Sequence, residues 1–322
     1  GLSGTELGVG LAVIRLSSLG SLPLAGLADR FGRRPLILFS VSCGLFLTAL
    51  AAASPGYWWF VALFAAGRPA LSTTEAVAAV AAAEQTGSSD RTKAVALVAA
   101  GYGIGAGITA LVHSAGSGST GFRVVFGLAL LPLALIPLLR RWITEPDRFT
   151  VSAAGPDHPV PVLGAVRPPY RRRLLLVVGW AFFVSVITGP ANSFVFLYAQ
   201  NVRHEPGSLT AAMVVGAGAS GLAGLLAGRW MADHLGRRVA CTLGMGGLAV
   251  CGALTYAGPG WAMFTGYIAG VAAGSVLAPA VGALVNEIFP TSIRASVLGW
   301  WTAAGVIGAV SGLVVFGRLA DV

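Results

Sequence analysis

Charge is what this sequence has least of. Its 21 Lys and Arg and 12 Asp and Glu make up 10% of 322 residues, against about 25% in an ordinary soluble domain. With 56% hydrophobic residues and a mean hydropathy of +0.80, the chain is not a soluble globular protein, and the bilayer is its solvent. Cysteine is scarce too. Cys43, Cys241 and Cys251 stand in apolar runs without metal-ligand spacing, so they read as small packing residues and no metal is expected. There is no P-loop, and the glycine-rich stretch from Gly101 to Gly107 is embedded in an apolar run with no phosphate-binding context. Neither enzyme chemistry nor a cofactor is expected. No signal peptide with a cleavage site is visible, and a chain beginning at Gly1 reads as a fragment or a trimmed chain.

What the chain does have is apolar runs of about 20 residues, the length a helix needs to cross a bilayer. Ten are expected: 7–28, 36–54, 58–83, 92–113, 122–139, 174–198, 208–231, 239–257, 261–285 and 295–317. The fold class is therefore all-α and polytopic. Between the fifth and sixth runs lies a stretch carrying Pro146, Pro156, Pro159, Pro161, Pro168 and Pro169 and ending at Arg171, Arg172 and Arg173. It reads as a linker over 146–172, between a five-helix bundle over 1–145 and another over 173–322.

A formal net charge of +9 raises the question of a nucleic-acid partner. Placement answers it. If the loop with Arg30, Arg33 and Arg34 is cytoplasmic, alternation of the runs puts 16 of the 21 Lys and Arg inside; only Arg123, Arg203 and Arg318 fall outside, while Arg15 and Arg68 lie within runs. That asymmetry orients a membrane protein and needs no polyanion.

The chain also repeats itself. Asp29-Arg-Phe-Gly32-Arg33-Arg34 follows the first run, and Asp233-His-Leu-Gly236-Arg237-Arg238 follows the seventh, 204 positions later. Glu84 and Arg91 after the third run recur as Glu287 and Arg294 after the ninth, each 203 positions later. The repeating unit is six spans in parallel orientation. By that arithmetic the fifth and sixth runs lack their mates, so two helices, one at each end, are expected to be missing.

These motifs resemble the cytoplasmic signature of the major facilitator superfamily of secondary transporters, and the resemblance covers nearly the whole chain. It implies two pseudo-symmetric helical bundles around a central cavity, with this chain matching spans two to eleven of twelve. It further implies that Asp29, Arg30, Gly32, Arg33, Arg34, Glu84, Arg91, Asp233, Gly236, Arg237, Arg238, Glu287 and Arg294 form a charge network that shuts the cytoplasmic face. The bland alternative is that they anchor helix ends and set topology. Copy two departs from the pattern at Arg229 and His234, which points to a weaker or partly pH-sensitive second gate. A third match, Gly317 to Asp321, falls on the outside and reads as coincidence.

Ionisable residues at membrane depth are costly and usually functional, so Arg15, Arg68 and Glu75 are candidates for a substrate or proton site. Counting about 1.5 Å of rise per residue, Glu75 lies about 13 Å from Glu84 and close to the midplane. It either exchanges a coupling proton or cationic group, or neutralises Arg15 or Arg68. Asn192, in the sixth run with Thr188 and Ser193, is a candidate for substrate hydrogen bonding, or else for a helix-to-helix bond.

The resulting expectation is a multi-pass plasma- or inner-membrane secondary transporter. It would act as a monomer on a sugar or other small metabolite by alternating access with proton coupling. The alternatives are a drug or metabolite efflux antiporter, and a non-transporting sensor or truncated remnant.

Overall fold

The computed structural model describes residues 2–86, 91–115, 121–144, 166 and 168–319. The linker residues Pro146, Pro156, Pro159 and Pro161, and Asp321, lie outside them. Among the described residues there is no strand.

Helix α1 (Gly4–Ser17) starts under a capping box: the Glu6 N–H donates to the Ser3 hydroxyl and the Ser3 N–H donates to the Glu6 carboxylate, both at 3.0 Å. A 3-10 turn at Ser18–Gly20 follows, then α2 (Ser21–Gly26) and α3 (Ala28–Phe31). Pro23 has no N–H for the Leu19 carbonyl, so the helical ladder tightens just ahead of it. The first span is thus one broken rod.

Helices α4 (Arg33–Ala52), α5 (Tyr57–Gln85) and α6 (Arg91–Ala115) come next. Then α7 (Gly121–Gly127), α8 (Leu130–Ala134) and α9 (Ile136–Trp142) form a second broken span, bent by 43° before α9. The expected single helix over 122–139 is interrupted because Pro132 and Pro137 remove two donors from it.

After the linker come α10 (Pro168–Leu197), a π turn at Tyr198–Val202, α11 (Gly207–His234), α12 (Arg237–Ala257), α13 (Gly260–Ile288) and α14 (Thr291–Leu319). Helix α10 begins at Pro168, inside the stretch expected to be linker. Proline is tolerated in a first turn, where its missing N–H has no intrahelical partner to lose. Arg171, Arg172 and Arg173 therefore project from a helix.

Among the described residues, seven spans are long and apolar enough to cross a membrane, and the bent α7–α9 segment makes eight. Helix α5 falls short of that measure because Arg68 and Glu75 sit in its middle, and α6 is described as an apolar stretch only over Ile104–His113.

The repeat reappears in the packing. Helix α4 lies on α5 as α12 lies on α13, and α1 lies on α5 as α11 lies on α13. Where lipid gives no hydrophobic drive, small residues let backbones touch. A side chain at Gly224 or Gly228 of α11 would strike the Ala272 or Val276 carbonyl of α13, and one at Gly308 or Gly312 of α14 would strike Phe182 or Val186 of α10. Gly101 and Gly105, which share the same spacing, have nothing within 4 Å; spacing alone does not put a glycine at an interface. The inner end of the second half is filled by Val281, Val285, Phe289, Ile293 and Val297 against Leu174 and Val177, with Trp301 against Trp180 at its edge.

Candidate functional site

The two motif turns have one shape. Gly32, between α3 and α4, has φ 96° and ψ 156°; Gly236, between α11 and α12, has φ 92° and ψ 150°. That region of backbone space is essentially closed to any residue with a Cβ. The repeat read from the charges is therefore also a repeat of backbone geometry.

Charges converge around these turns. In the second half Arg237 pairs with Glu287 at 2.6 Å, joining the start of α12 to the last turn of α13. Arg173 of α10 donates to the Ile288 carbonyl at 3.3 Å, capping the same helix end. In the first half Arg33 donates to the Ala28 carbonyl (3.1 Å), Arg34 to the Arg140 carbonyl (2.8 Å), and Gln85 to the Thr144 carbonyl (3.0 Å). The helix ends that flank residues 145–165, at Arg140 and Arg173, are each bonded to a residue close to one of the two motifs. Arg140, Gln85 and Thr144 were not singled out by the sequence reasoning, and Arg173 entered it only in the basic cluster that ends the linker. The basic cluster after Pro168-Pro169 was the available signal for Arg173.

Other expected members are placed differently. Asp233 is exposed and makes no hydrogen bond or ion pair among the described residues; Glu287, not Asp233, takes the arginine. His234 stacks on Trp230 and bonds its carbonyl at 2.9 Å, so its ring is engaged by its own helix rather than by the motif's charges. Arg238 is exposed. The side chains of Asp29, Arg30, Glu84, Arg91 and Arg294 lie outside the described residues.

At the opposite, outer end the halves touch directly. A Cβ on Gly8 of α1 would lie 2.6 Å from the Leu313 carbonyl and 2.9 Å from the Gly317 Cα, both on α14. Gly317, the start of the unabsorbed third motif match, thus serves backbone contact. Helices α6 and α11 make the second cross-half contact, with Gly107 beside Val215. Nearer the charged face, α2 and α3 pack on α5 and α4 of their own half. Among the described residues, the close approaches of Gly8 to Gly317 and of Gly107 to Val215 lie toward the end away from the motif turns.

Between the halves, inward of those contacts, is a cavity of about 260 Å³. One wall comes from α1 and α5 and carries Arg15, Arg68 and Phe64; the other comes from α10 and α14 and carries Ser185, Thr188, Asn192 and Ser193. Three of the four expected substrate residues, Arg15, Arg68 and Asn192, are brought together here. Phe64 and Ser185 were missed, because a helix apolar on every side does not reveal which face turns inward.

Glu75 is the fourth, and it is elsewhere. It lies two turns along α5 from Arg68, about 10.5 Å by helical rise, exposed on the same face and nearer the charged end. It has no ion pair among the described residues and does not line the cavity with Arg68 and Arg15. Arg68 is only partly exposed and likewise has no acidic partner among them.

A family model described as Major Facilitator Superfamily matches residues 1–313. The 3-(3-hydroxy-phenyl)propionate transporter of Escherichia coli strain K12 is 30% identical over 315 residues, spanning 94% of this chain and 75% of that protein. The cis,cis-muconate transport protein of Acinetobacter baylyi is 24% identical over 341 residues, spanning 97% and 80%. Among solved structures, the xylose transporter XylE of E. coli in its inward open conformation matches with a TM-score of 0.70 at 18% identity, covering 100% of this chain and 81% of that one.

Proposed function

The chain belongs to the major facilitator superfamily of multi-pass membrane transporters, and from that premise we propose that it moves a small organic carboxylate by alternating access, coupled to protons. The observation that carries this reading is Arg68, which lines one wall of the central cavity beside Arg15 and has no acidic partner among the described residues. An arginine inside the hydrocarbon is costly, by up to about 2.5–3.5 kcal/mol on insertion scales at the bilayer centre, and a substrate anion supplies a partner through a charge-assisted, fork-shaped contact. Phenylpropionate and muconate, in the names of the two relatives, are carboxylates.

The expected sugar or metabolite is thereby narrowed to an acid. A cavity of about 260 Å³ lies below the about 300–1,000 Å³ of pockets that take drug-sized ligands, which disfavours drug efflux. Glu75, exposed on the cavity face of α5 toward the inner side, is the group proposed to take up the coupling proton. The turns at Gly32 and Gly236, with Arg33, Arg34, Arg237 and Glu287, act as the inner gate, in which the Arg237–Glu287 pair is made while Gly8 and Gly317 are in contact. One chain supplies both walls, so the monomer is the transporting unit.

The test is uptake of radiolabelled 3-(3-hydroxyphenyl)propionate by liposomes containing the purified protein. An imposed proton gradient should drive accumulation, an uncoupler should abolish it, and the neutral amide of the same acid should not compete. Transport of xylose with none of the acid would overturn the proposal.

A further inference from the structure

The two walls of the cavity differ in hydrogen-bonding sense as well as in charge. The wall from α1 and α5 holds two guanidinium groups, which only donate. The wall from α10 carries no charge, and its donors are largely spent on its own backbone. The Thr188 hydroxyl donates to the Val184 carbonyl at 3.0 Å, the Ser193 hydroxyl to the Gly189 carbonyl at 2.9 Å, and the Asn192 amide nitrogen to the Thr188 carbonyl at 2.8 Å. Because the Asn192 partner is a carbonyl, the nitrogen is the atom facing it, and the amide oxygen is left to accept.

These residues recur at helical intervals and all line the cavity, so α10 turns one stripe of oxygen acceptors toward the arginines across it. Ser185 lies on the same stripe. Phe64, itself braced edge-on by Phe126 at 5.3 Å, supplies an aromatic surface on the cationic wall.

Building on the carboxylate reading, we infer that the cavity selects hydroxylated carboxylates: the anion lies on Arg68 and Arg15, a ring rests against Phe64, and a hydroxyl at the far end donates to the acceptor stripe of Asn192, Thr188 and Ser193. Such a substrate touches both halves at once. An acid lacking the hydroxyl leaves the stripe's acceptors without a donor, and a second anionic group there would face oxygen lone pairs.

The experiment is competition against labelled 3-hydroxybenzoate uptake in liposomes containing the full chain, using benzoate, 3-hydroxybenzoate and methyl 3-hydroxybenzoate. The hydroxylated acid should compete at least about tenfold better than benzoate, the scale of one hydrogen bond in a desolvated site. In Asn192→Leu protein that ratio should fall toward one. A ratio is independent of how much of the variant folds. If benzoate and 3-hydroxybenzoate compete equally in the unaltered protein, the hydroxyl assignment is overturned while the carboxylate reading stands. If the methyl ester competes as well as the acid, the carboxylate reading itself fails, and this inference with it.

Discussion

Arg237, the first residue of α12, meets Glu287 in the last turn of α13 at 2.6 Å. Both side chains are about half exposed, at 43% and 52%, so the pair contributes at most about 1 kcal/mol. That is too little to hold the fold together and enough to tilt an equilibrium between two states by about fivefold. Glu287→Arg should therefore reduce transport several-fold without loss of folded protein, and adding Arg237→Glu should recover part of it. Initial uptake rates of the single and double variants, normalised to purified protein, check this; no recovery in the double variant would make the two residues independent anchors.

The repeat offers the same cycle in the other half. Arg33 stands where Arg237 stands, and Glu84 where Glu287 stands, one repeat earlier. Reversing both charges there should rescue transport relative to either single reversal, with a coupling similar in size to that in the second half. Rescue in one half alone would show that the pseudo-symmetry of backbone does not extend to the charges.

Much of this arrangement is legible in the sequence. Ten apolar runs, an offset of about 200 positions and one glycine in each motif mark out the helices, the repeat and the turn at Gly236. What escapes is the depth of each helix and its rotation about its own axis. Glu75 and Arg68 are seven apart in the sequence, but only the placement of α5 shows that one lines the cavity and the other lies inward of it. Spacing treats Gly101 and Gly105 like Gly224 and Gly228, although only the second pair meets a neighbour's backbone. The break ahead of Pro23 was open to a closer reading, since a proline there removes a donor from the turn before it.

The turn glycines give a stability prediction. At φ 92° and ψ 150°, a Cβ at Gly236 costs on the order of 1–3 kcal/mol even though nothing lies within 4 Å of it. Gly236→Ala should lower the thermal midpoint of the detergent-solubilised protein, whereas Gly246→Ala, within α12 and equally uncrowded, should leave it unchanged or raise it slightly. A midpoint at Gly236→Ala equal to that of the unaltered protein would contradict the strained turn.

At the outer end, closure depends on backbone contact between Gly8 and Gly317. Gly317→Leu should hold the halves apart there. Transport should fall at least about tenfold, and a membrane-impermeant thiol reagent added from outside should label a cysteine introduced at Ser185 faster than in the unaltered background. Unchanged labelling would show that this contact does not gate access to the cavity.

Glu75 separates coupling from transport. In Glu75→Gln protein, exchange of labelled for unlabelled acid across the membrane should persist while accumulation driven by a proton gradient is lost. Accumulation equal to that of the unaltered protein would exclude Glu75 as the proton-carrying group.

The most direct measurement is equilibrium binding of labelled 3-hydroxybenzoate to purified protein carrying Arg68→Gln, set beside Arg68→Lys and the unaltered chain. Binding should weaken by at least about tenfold in the glutamine variant, with the lysine variant between, because lysine keeps the charge but not the two-pronged contact. Equal affinity in all three proteins would show that the cavity between the halves does not hold its substrate by a carboxylate.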